Sequence, residues 1–169
     1  DVNDLYAVNA SDGTREWEYS TGGSIKSSPA VVDGTVYVGS YDNDLHAVNA
    51  SDGTGKWTYS TGATISYSSP AVVNGSVYIG SDDLYAVNAS DGSVEWTYST
   101  GKSITSSPAV VDGTVYAGSY SSNLYAVNAS DGTEEWYYSP TDSSSYFRSS
   151  PIGGADGWCF TNRPGRVGN

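Results

Sequence analysis

Few residues in this sequence are equipped for chemistry. There is one histidine, His46, and one cysteine, Cys159, so no second soft ligand completes a zinc set. His46 occupies the slot held by Tyr6, Tyr85 and Tyr125 in related segments, and Cys159 stands where Tyr37, Tyr78 and Tyr116 stand. Both therefore read as strand residues of aromatic or apolar type. Acidic pairs occur at Asp42/Asp44, Asp82/Asp83 and Glu134/Glu135. The first two fall in equivalent loops, where carboxylates can offer oxygens to a hard cation. The third copy of that loop is Ser121-Ser122-Asn123, so the pairs read as solvated loop residues. Gly101-Lys102-Ser103 matches the end of a phosphate loop, but Trp96 stands where its upstream glycine belongs. No nucleophile elbow and no dinucleotide-type glycine turn is present. No catalytic or metal-binding residue is assigned, and the sequence is read as non-enzymatic.

Charge narrows the partners. Seven Lys and Arg against 19 Asp and Glu leave a net charge of −12 over 169 residues. Such a surface repels nucleic acid and anionic lipid. Residues 1–147 carry the excess, whereas Arg148, Arg163 and Arg166 face only Asp156 in the tail. No apolar run is long enough for a spanning helix. With 13% aromatic residues the chain has the means to order itself despite its polarity. Acid-dominated charge with few lysines suits adaptation to high salt. Lacking any methionine, the chain reads as a processed protein or an excised piece.

The elements that hold these residues repeat. Asp4-Leu5-Tyr6-Ala7-Val8-Asn9-Ala10-Ser11-Asp12-Gly13 recurs with Leu45, Leu84 and Leu124 in the place of Leu5. A second block, running from Ser27-Ser28-Pro29 to Val38-Gly39-Ser40, recurs around Pro70 and Pro108 and, worn, from Ser149 to Phe160. Each unit of about 40 residues contains four short β-branched or aromatic runs bounded by turn residues. Asp33-Gly34, Asn74-Gly75 and Asp112-Gly113 predict type I′ hairpins. Glu16-Trp17-Glu18-Tyr19 alternates charge with aromatic, as an outer edge strand should. The fold class is all-β: a propeller of four-stranded antiparallel blades. The expected divisions are a half-blade at 1–22, blades at about 23–62, 63–101 and 102–141, and a degenerate half-blade at 142–169.

The set Ala7/Gly13/Trp17 recurs as Ala47/Gly53/Trp57, Ala86/Gly92/Trp96 and Ala126/Gly132/Trp136. Together with the Ser-Ser-Pro and Val-Tyr-Val-Gly-Ser blocks it resembles the PQQ-type propeller repeat of quinoprotein alcohol dehydrogenases and BamB-like lipoproteins. The resemblance implies a tryptophan-docking role for these twelve residues, each indole tying its blade to the next. An indole suits that role because it combines a large apolar area with one N–H donor. It does not imply catalysis here. The resembling dehydrogenases hold PQQ against a vicinal disulfide with Ca²⁺ nearby, and one cysteine cannot form that pair. Neither PQQ nor Ca²⁺ is therefore expected.

Three features remain. Asn9, Asn49, Asn74, Asn88 and Asn128 lie in glycosylation sequons, which either mark glycan attachment or reflect turn chemistry amplified by duplication. Lys26, Tyr67, Thr105 and Arg148, each three residues before a proline, vary while their surroundings repeat, and form a candidate binding face at one end of the ring axis. The chain also begins with outer strands lacking inner ones and ends with inner strands lacking outer ones. Four blades can close within one chain, two chains can form an eight-bladed ring, or chains can add head-to-tail into a filament. The expectation favours a homodimer, in an extracytoplasmic protein whose surface serves as a structural or interaction scaffold. The alternatives are a small-ligand or PQQ-binding module and a fragment of a longer eight-bladed propeller.

Overall fold

The computed structural model describes residues 3–140, 145–147, 150, 152–154, 157–159 and 162–164. All of their regular structure is β, and no helix is long and apolar enough to cross a membrane. The first hairpin joins β1 (Asp4–Val8) to β2 (Arg15–Ser20). Three four-stranded antiparallel meanders follow. They are β3 (Ala30–Val32) to β6 (Gly55–Ser60), β7 (Ala71–Val73) to β10 (Val94–Tyr98), and β11 (Ala109–Val111) to β14 (Glu134–Tyr138).

Turn chemistry sets this meander. Asp33 and Gly34 have φ of 48° and 71°, Asn74 and Gly75 52° and 83°, and Asp112 and Gly113 49° and 80°. Two successive positive φ values give the type I′ turn whose twist matches the flanking strands. The next turn is built from side chains. Asn9 Oδ1 accepts from the Ser11 N–H at 2.9 Å and the Ser11 hydroxyl at 2.6 Å. Asp12 Oδ1 does the same for Thr14, at 3.0 and 2.7 Å. Every later repeat copies both contacts, through Asn49, Asn88 and Asn128 and through Asp52, Asp91 and Asp131.

The two middle strands of each meander carry the core: Val38, Leu45 and Val48, then Val77, Ile79, Leu84 and Val87, then Val115, Leu124 and Val127. The first strands lie side by side, β3 against β7 and β7 against β11, so they form the inner edge of the array. Serines of the Ser-Ser-Pro blocks fasten that edge. Ser27 Oγ donates to Gly39 O and accepts from the Gly39 N–H within its own blade, at 2.8 and 3.0 Å. The next serine reaches across: the Ser28 N–H donates to Ser69 Oγ at 2.8 Å, and the Ser69 N–H to Ser107 Oγ at 2.9 Å.

The last elements are shorter. β16 (Ile152–Gly154) pairs with β17 (Gly157–Cys159), Ile152 opposite Cys159, in the same register as Ala30 opposite Tyr37. β16 lies against β11 and so continues the inner row. A further pair, β15 (Ser145–Phe147) with β18 (Asn162–Pro164), is absent from the sequence reading. It places Phe147 opposite Asn162, the pairing that Ile104 and Ser119 make as a single bridge one blade earlier. Among the described residues the β1–β2 and β16–β17 hairpins stay separate sheets.

Candidate functional site

Three of the four repeated tryptophans, Trp17, Trp57 and Trp96, lie at the seams between blades, and Trp136 is exposed. The indole N–H of Trp17 donates to Ala50 O at 2.9 Å, that of Trp57 to Ala89 O at 3.1 Å, and that of Trp96 to Ala129 O at 2.9 Å. Each acceptor belongs to the following repeat. Under each ring lies a glycine of that same turn. A methyl group at Gly53, Gly92 or Gly132 would come within 2.8 Å of the indole Cδ2, so only a hydrogen fits. Within its own hairpin each tryptophan faces an alanine: Trp17 opposite Ala7, Trp57 opposite Ala47, Trp96 opposite Ala86 and Trp136 opposite Ala126. Two of these rings also meet a tyrosine in a tilted contact, Tyr37–Trp57 and Tyr78–Trp96, both at 5.8 Å.

Sequence reasoning picked out the alanine, glycine and tryptophan of each set but missed the acceptors Ala50, Ala89 and Ala129. Their signal is the Asn-Ala-Ser turn, whose alanine carbonyl faces the neighbouring blade. It also missed a second seam contact. Ile65 lies on Gly39, where an added Cβ would stand 2.4 Å from Ile65 Cγ2, and Ile104 lies on Gly80 at 2.3 Å. The Ile65 and Ile104 N–H groups donate to Ser40 O and Ser81 O across the same seams, at 3.2 and 2.7 Å.

His46 is buried, with Nε2 3.0 Å from Asp42 Oδ2 and Nδ1 3.1 Å from the Tyr19 hydroxyl. Asp42 also accepts from the Gly22 N–H at 2.7 Å and the Asp44 N–H at 3.1 Å. Burial pushes the Asp42 carboxyl up. The hydrogen bonds from Asp44 and Gly22 and the nearby imidazole outweigh it, so the net shift is downward. One blade later Tyr85 fills the His46 slot, its hydroxyl 2.7 Å from Asp82 Oδ1 and 2.9 Å from Thr61 O. Burial and Asp82 hold that phenol far above its ordinary value. Asp42, Asp44 and His46 bring one ligand atom each within 4.8 Å of one another, and these three residues could hold a metal ion. Both imidazole nitrogens are already engaged, and the set falls short of the six to eight oxygens Ca²⁺ takes. Asp44 and His46, two apart in the strand Asp44–Asn49, share a strand face, whereas Asp42 is brought to them by the turn at Asn43, whose φ is 81°.

The four variable positions separate. Lys26 places its ammonium 4.8 Å above the Tyr41 ring. Tyr67 and Thr105 line one cleft of about 300 Å³ between the second and third complete blades, with Asp82, Ser103, Ile104 and Tyr120. Thr105 Oγ1 is buried there without a hydrogen-bond partner. Arg148 lies outside the described residues. Of the sequon asparagines, Asn9, Asn49, Asn88 and Asn128 use Oδ1 to fix their turns, and Asn74 opens a type I′ turn.

Comparison with known proteins agrees with this geometry. No curated protein matches the chain by sequence. BamB from Moraxella catarrhalis superposes with a TM-score of 0.81 at 15% identity, over 95% of this chain and 49% of its own. Quinohemoprotein alcohol dehydrogenase from Comamonas testosteroni gives 0.65 at 25% identity, over 73% and 22%. The computationally designed Ika8 protein gives 0.74 at 13% identity, over 89% and 47%. The chain thus spans about half the length of the BamB structure it matches. The family described as outer membrane protein assembly factor BamB matches residues 1–154. This chain is a β-propeller of PQQ-type repeats and belongs to the BamB family.

Proposed function

We propose that the chain is a non-enzymatic, extracytoplasmic scaffold whose blades, tied by docked tryptophans, present a surface to protein partners, a second copy of the chain among them. The observation that carries this reading is the seam. Three times over, the residues that stand out in the sequence, Trp17, Trp57 and Trp96, join one blade to the next. The polar groups with chemical capacity are engaged in the same way. His46 has a partner on each nitrogen, and Asp12, Asp52, Asp91 and Asp131 each bind a hydroxyl and an N–H of their turn.

The matching family is described as an outer membrane protein assembly factor, which supports a place outside the cytoplasm and a role in binding proteins. Cys159 has no cysteine neighbour in the sequence, so the vicinal disulfide implied by the quinoprotein resemblance cannot form. A second reading, a small-ligand module, is favoured by the Tyr67–Thr105 cleft, whose volume of about 300 Å³ reaches the lower end for ligand pockets. Calorimetry of the purified chain with PQQ and Ca²⁺ separates the two. The scaffold reading predicts no saturable heat, and saturable micromolar binding would replace it with the second.

A further inference from the structure

Lys26 shows how a blade of this chain holds a cation. Its ammonium lies 4.8 Å from the centroid of the Tyr41 ring, within the range of a cation–π contact. Tyr41 belongs to the loop between β4 and β5, and its N–H donates to Ser24 O at 3.0 Å. The same loop of the third complete blade holds Tyr120 alike, the Tyr120 N–H donating to Ser103 O at 2.8 Å. There, however, Thr105 stands in the place of Lys26, three residues before the proline. The third blade keeps the tyrosine without the lysine.

The second complete blade departs in two other places. Five residues separate Gly39 from Leu45 and Gly118 from Leu124, but only three separate Gly80 from Leu84, and Asp82 follows Ser81 where the other blades have a tyrosine. Ser66 is an extra residue, since two residues lie between Ile65 and Ser68 where one lies between Ile25 and Ser27 and between Ile104 and Ser106. Tyr67 fills the Lys26 place. These changes meet at the cleft of about 300 Å³ between the second and third complete blades, whose lining includes Tyr67, Asp82, Thr105 and Tyr120 and no basic residue. Tyr67 is 52% exposed. Asp82 uses Oδ1 to accept from the Tyr85 hydroxyl and the Asp83 N–H, and among the described residues its Oδ2 takes no hydrogen bond. Thr105 Oγ1 is buried without a partner, a costly state that an N–H donor in the cleft relieves once the side chain turns. Both walls belong to complete blades in the interior of the chain.

We propose that this cleft receives a lysine side chain of a partner protein, its ammonium meeting the Tyr67 and Tyr120 rings and the Asp82 carboxylate. The proposal rests on the scaffold reading and gives the cleft a part in it. The occupant follows from the lining: the rings offer their electron-rich faces, the carboxylate offers charge, and no basic side chain of the lining competes. A lysine is also the cation whose fit the chain displays, at Lys26 on Tyr41. The net charge of −12 draws a cationic segment towards the surface. Ser66 and Ser103, in the same lining, offer hydroxyls to the peptide groups that flank the lysine.

Titration of the ¹⁵N-labelled full chain with the capped peptide acetyl-Gly-Lys-Gly-amide tests this by NMR. The proposal predicts saturable shifts of the Tyr67, Ser103 and Thr105 amides, with a dissociation constant on the order of 1 mM. The same peptide with norleucine for lysine should bind roughly fivefold more weakly or worse. So should n-butylammonium, which has the charge without the peptide groups. Asp82→Asn keeps the oxygen that accepts from Tyr85 and should weaken lysine binding about 2–5-fold. Thr105→Lys restores the lysine that the first complete blade carries in that place, and its tethered ammonium should weaken the peptide roughly tenfold or more. Tyr67→Leu, at an exposed position, keeps the test decisive if Thr105→Lys misfolds, and should also weaken the peptide. Absence of saturable shifts at the cleft, equal binding of the norleucine peptide or of n-butylammonium, or binding indifferent to both Thr105→Lys and Tyr67→Leu would overturn the proposal. None of these results bears on PQQ binding, so calorimetry can still decide the scaffold reading alone.

Discussion

Gly132→Ala isolates the docking contact in one methyl group. Gly132 has φ of +74°, and alanine there carries the cost of left-handed backbone, about 1–2 kcal/mol. Gly113, in the same blade at φ +80°, imposes the same backbone cost, but its methyl would enter open space. At Gly132 the methyl would stand 2.8 Å from Trp96 Cδ2 and 2.9 Å from Cγ. The indole is not free to move away, since its N–H is held by Ala129 O at 2.9 Å and its ring packs on Tyr78 at 5.8 Å. Overpacking of that kind costs a further ~1–3 kcal/mol. In urea, with a slope of about 2 kcal/mol per molar, Gly132→Ala should therefore unfold roughly 0.5–1.5 M earlier than Gly113→Ala. Removing the ring should abolish the difference, so in a Trp96→Leu background the two alanine variants should cost the same. Equal losses in the wild-type background, or an excess that survives Trp96→Leu, would show that the tryptophan does not press on this turn.

Two further expectations concern the turns. Asp12 is held below its ordinary carboxylate value, first by the Thr14 N–H and then by the Thr14 hydroxyl; Asp52, Asp91 and Asp131 are held down first by the hydroxyl of Thr54, Ser93 and Thr133 and then by its N–H. A carboxylate lowered in the folded state stabilises it fully above the unfolded value and loses that contribution as pH falls through the folded one. Thermal melts should therefore fall below about pH 4, where unfolded carboxyls begin to protonate, and Asp91→Asn should flatten that decline; a melting temperature constant to pH 2 would contradict this. Asn88→Ala removes both hydrogen bonds that Asn88 Oδ1 accepts from Ser90 and should cost about 1 kcal/mol, while Asn88→Asp keeps the acceptor and should cost far less. Equal losses in denaturant titrations would refute the turn account of the repeated asparagine.

Repetition made the fold legible because every local signal was stated several times. Asp33-Gly34 alone is a short turn motif. Three copies at a spacing of about 40 residues specify a hairpin and its place in a blade. The worn copy shows the limit: Ile152 and Cys159 keep their register, yet the β15–β18 pair went unread because Tyr146-Phe147-Arg148 shares little with Ser24-Ile25-Lys26. Contacts between repeats were harder to see than those within one. Trp57 and Gly92 belong to different copies of one motif, and nothing in a linear alignment says that an indole docks on the next glycine rather than its own. The cluster at His46 was hidden for a different reason. A histidine in a tyrosine slot reads as a lapse of the repeat, whereas burial beside Asp42 and Tyr19 gives it hydrogen bonds equivalent to those of Tyr85.

The central claim is that docked indoles hold each blade to the next, and hydrogen exchange of the indole N–H groups tests it most directly. Resonances assigned by single tryptophan substitutions in the ¹⁵N-labelled chain should show Trp17, Trp57 and Trp96 strongly protected, because each N–H is bonded to a carbonyl of the neighbouring repeat. Protection of Trp57 and Trp96 should collapse only with unfolding of the blades they join. Exchange of those two indoles at the rate of a free tryptophan, in a chain whose strands remain protected, would contradict the account.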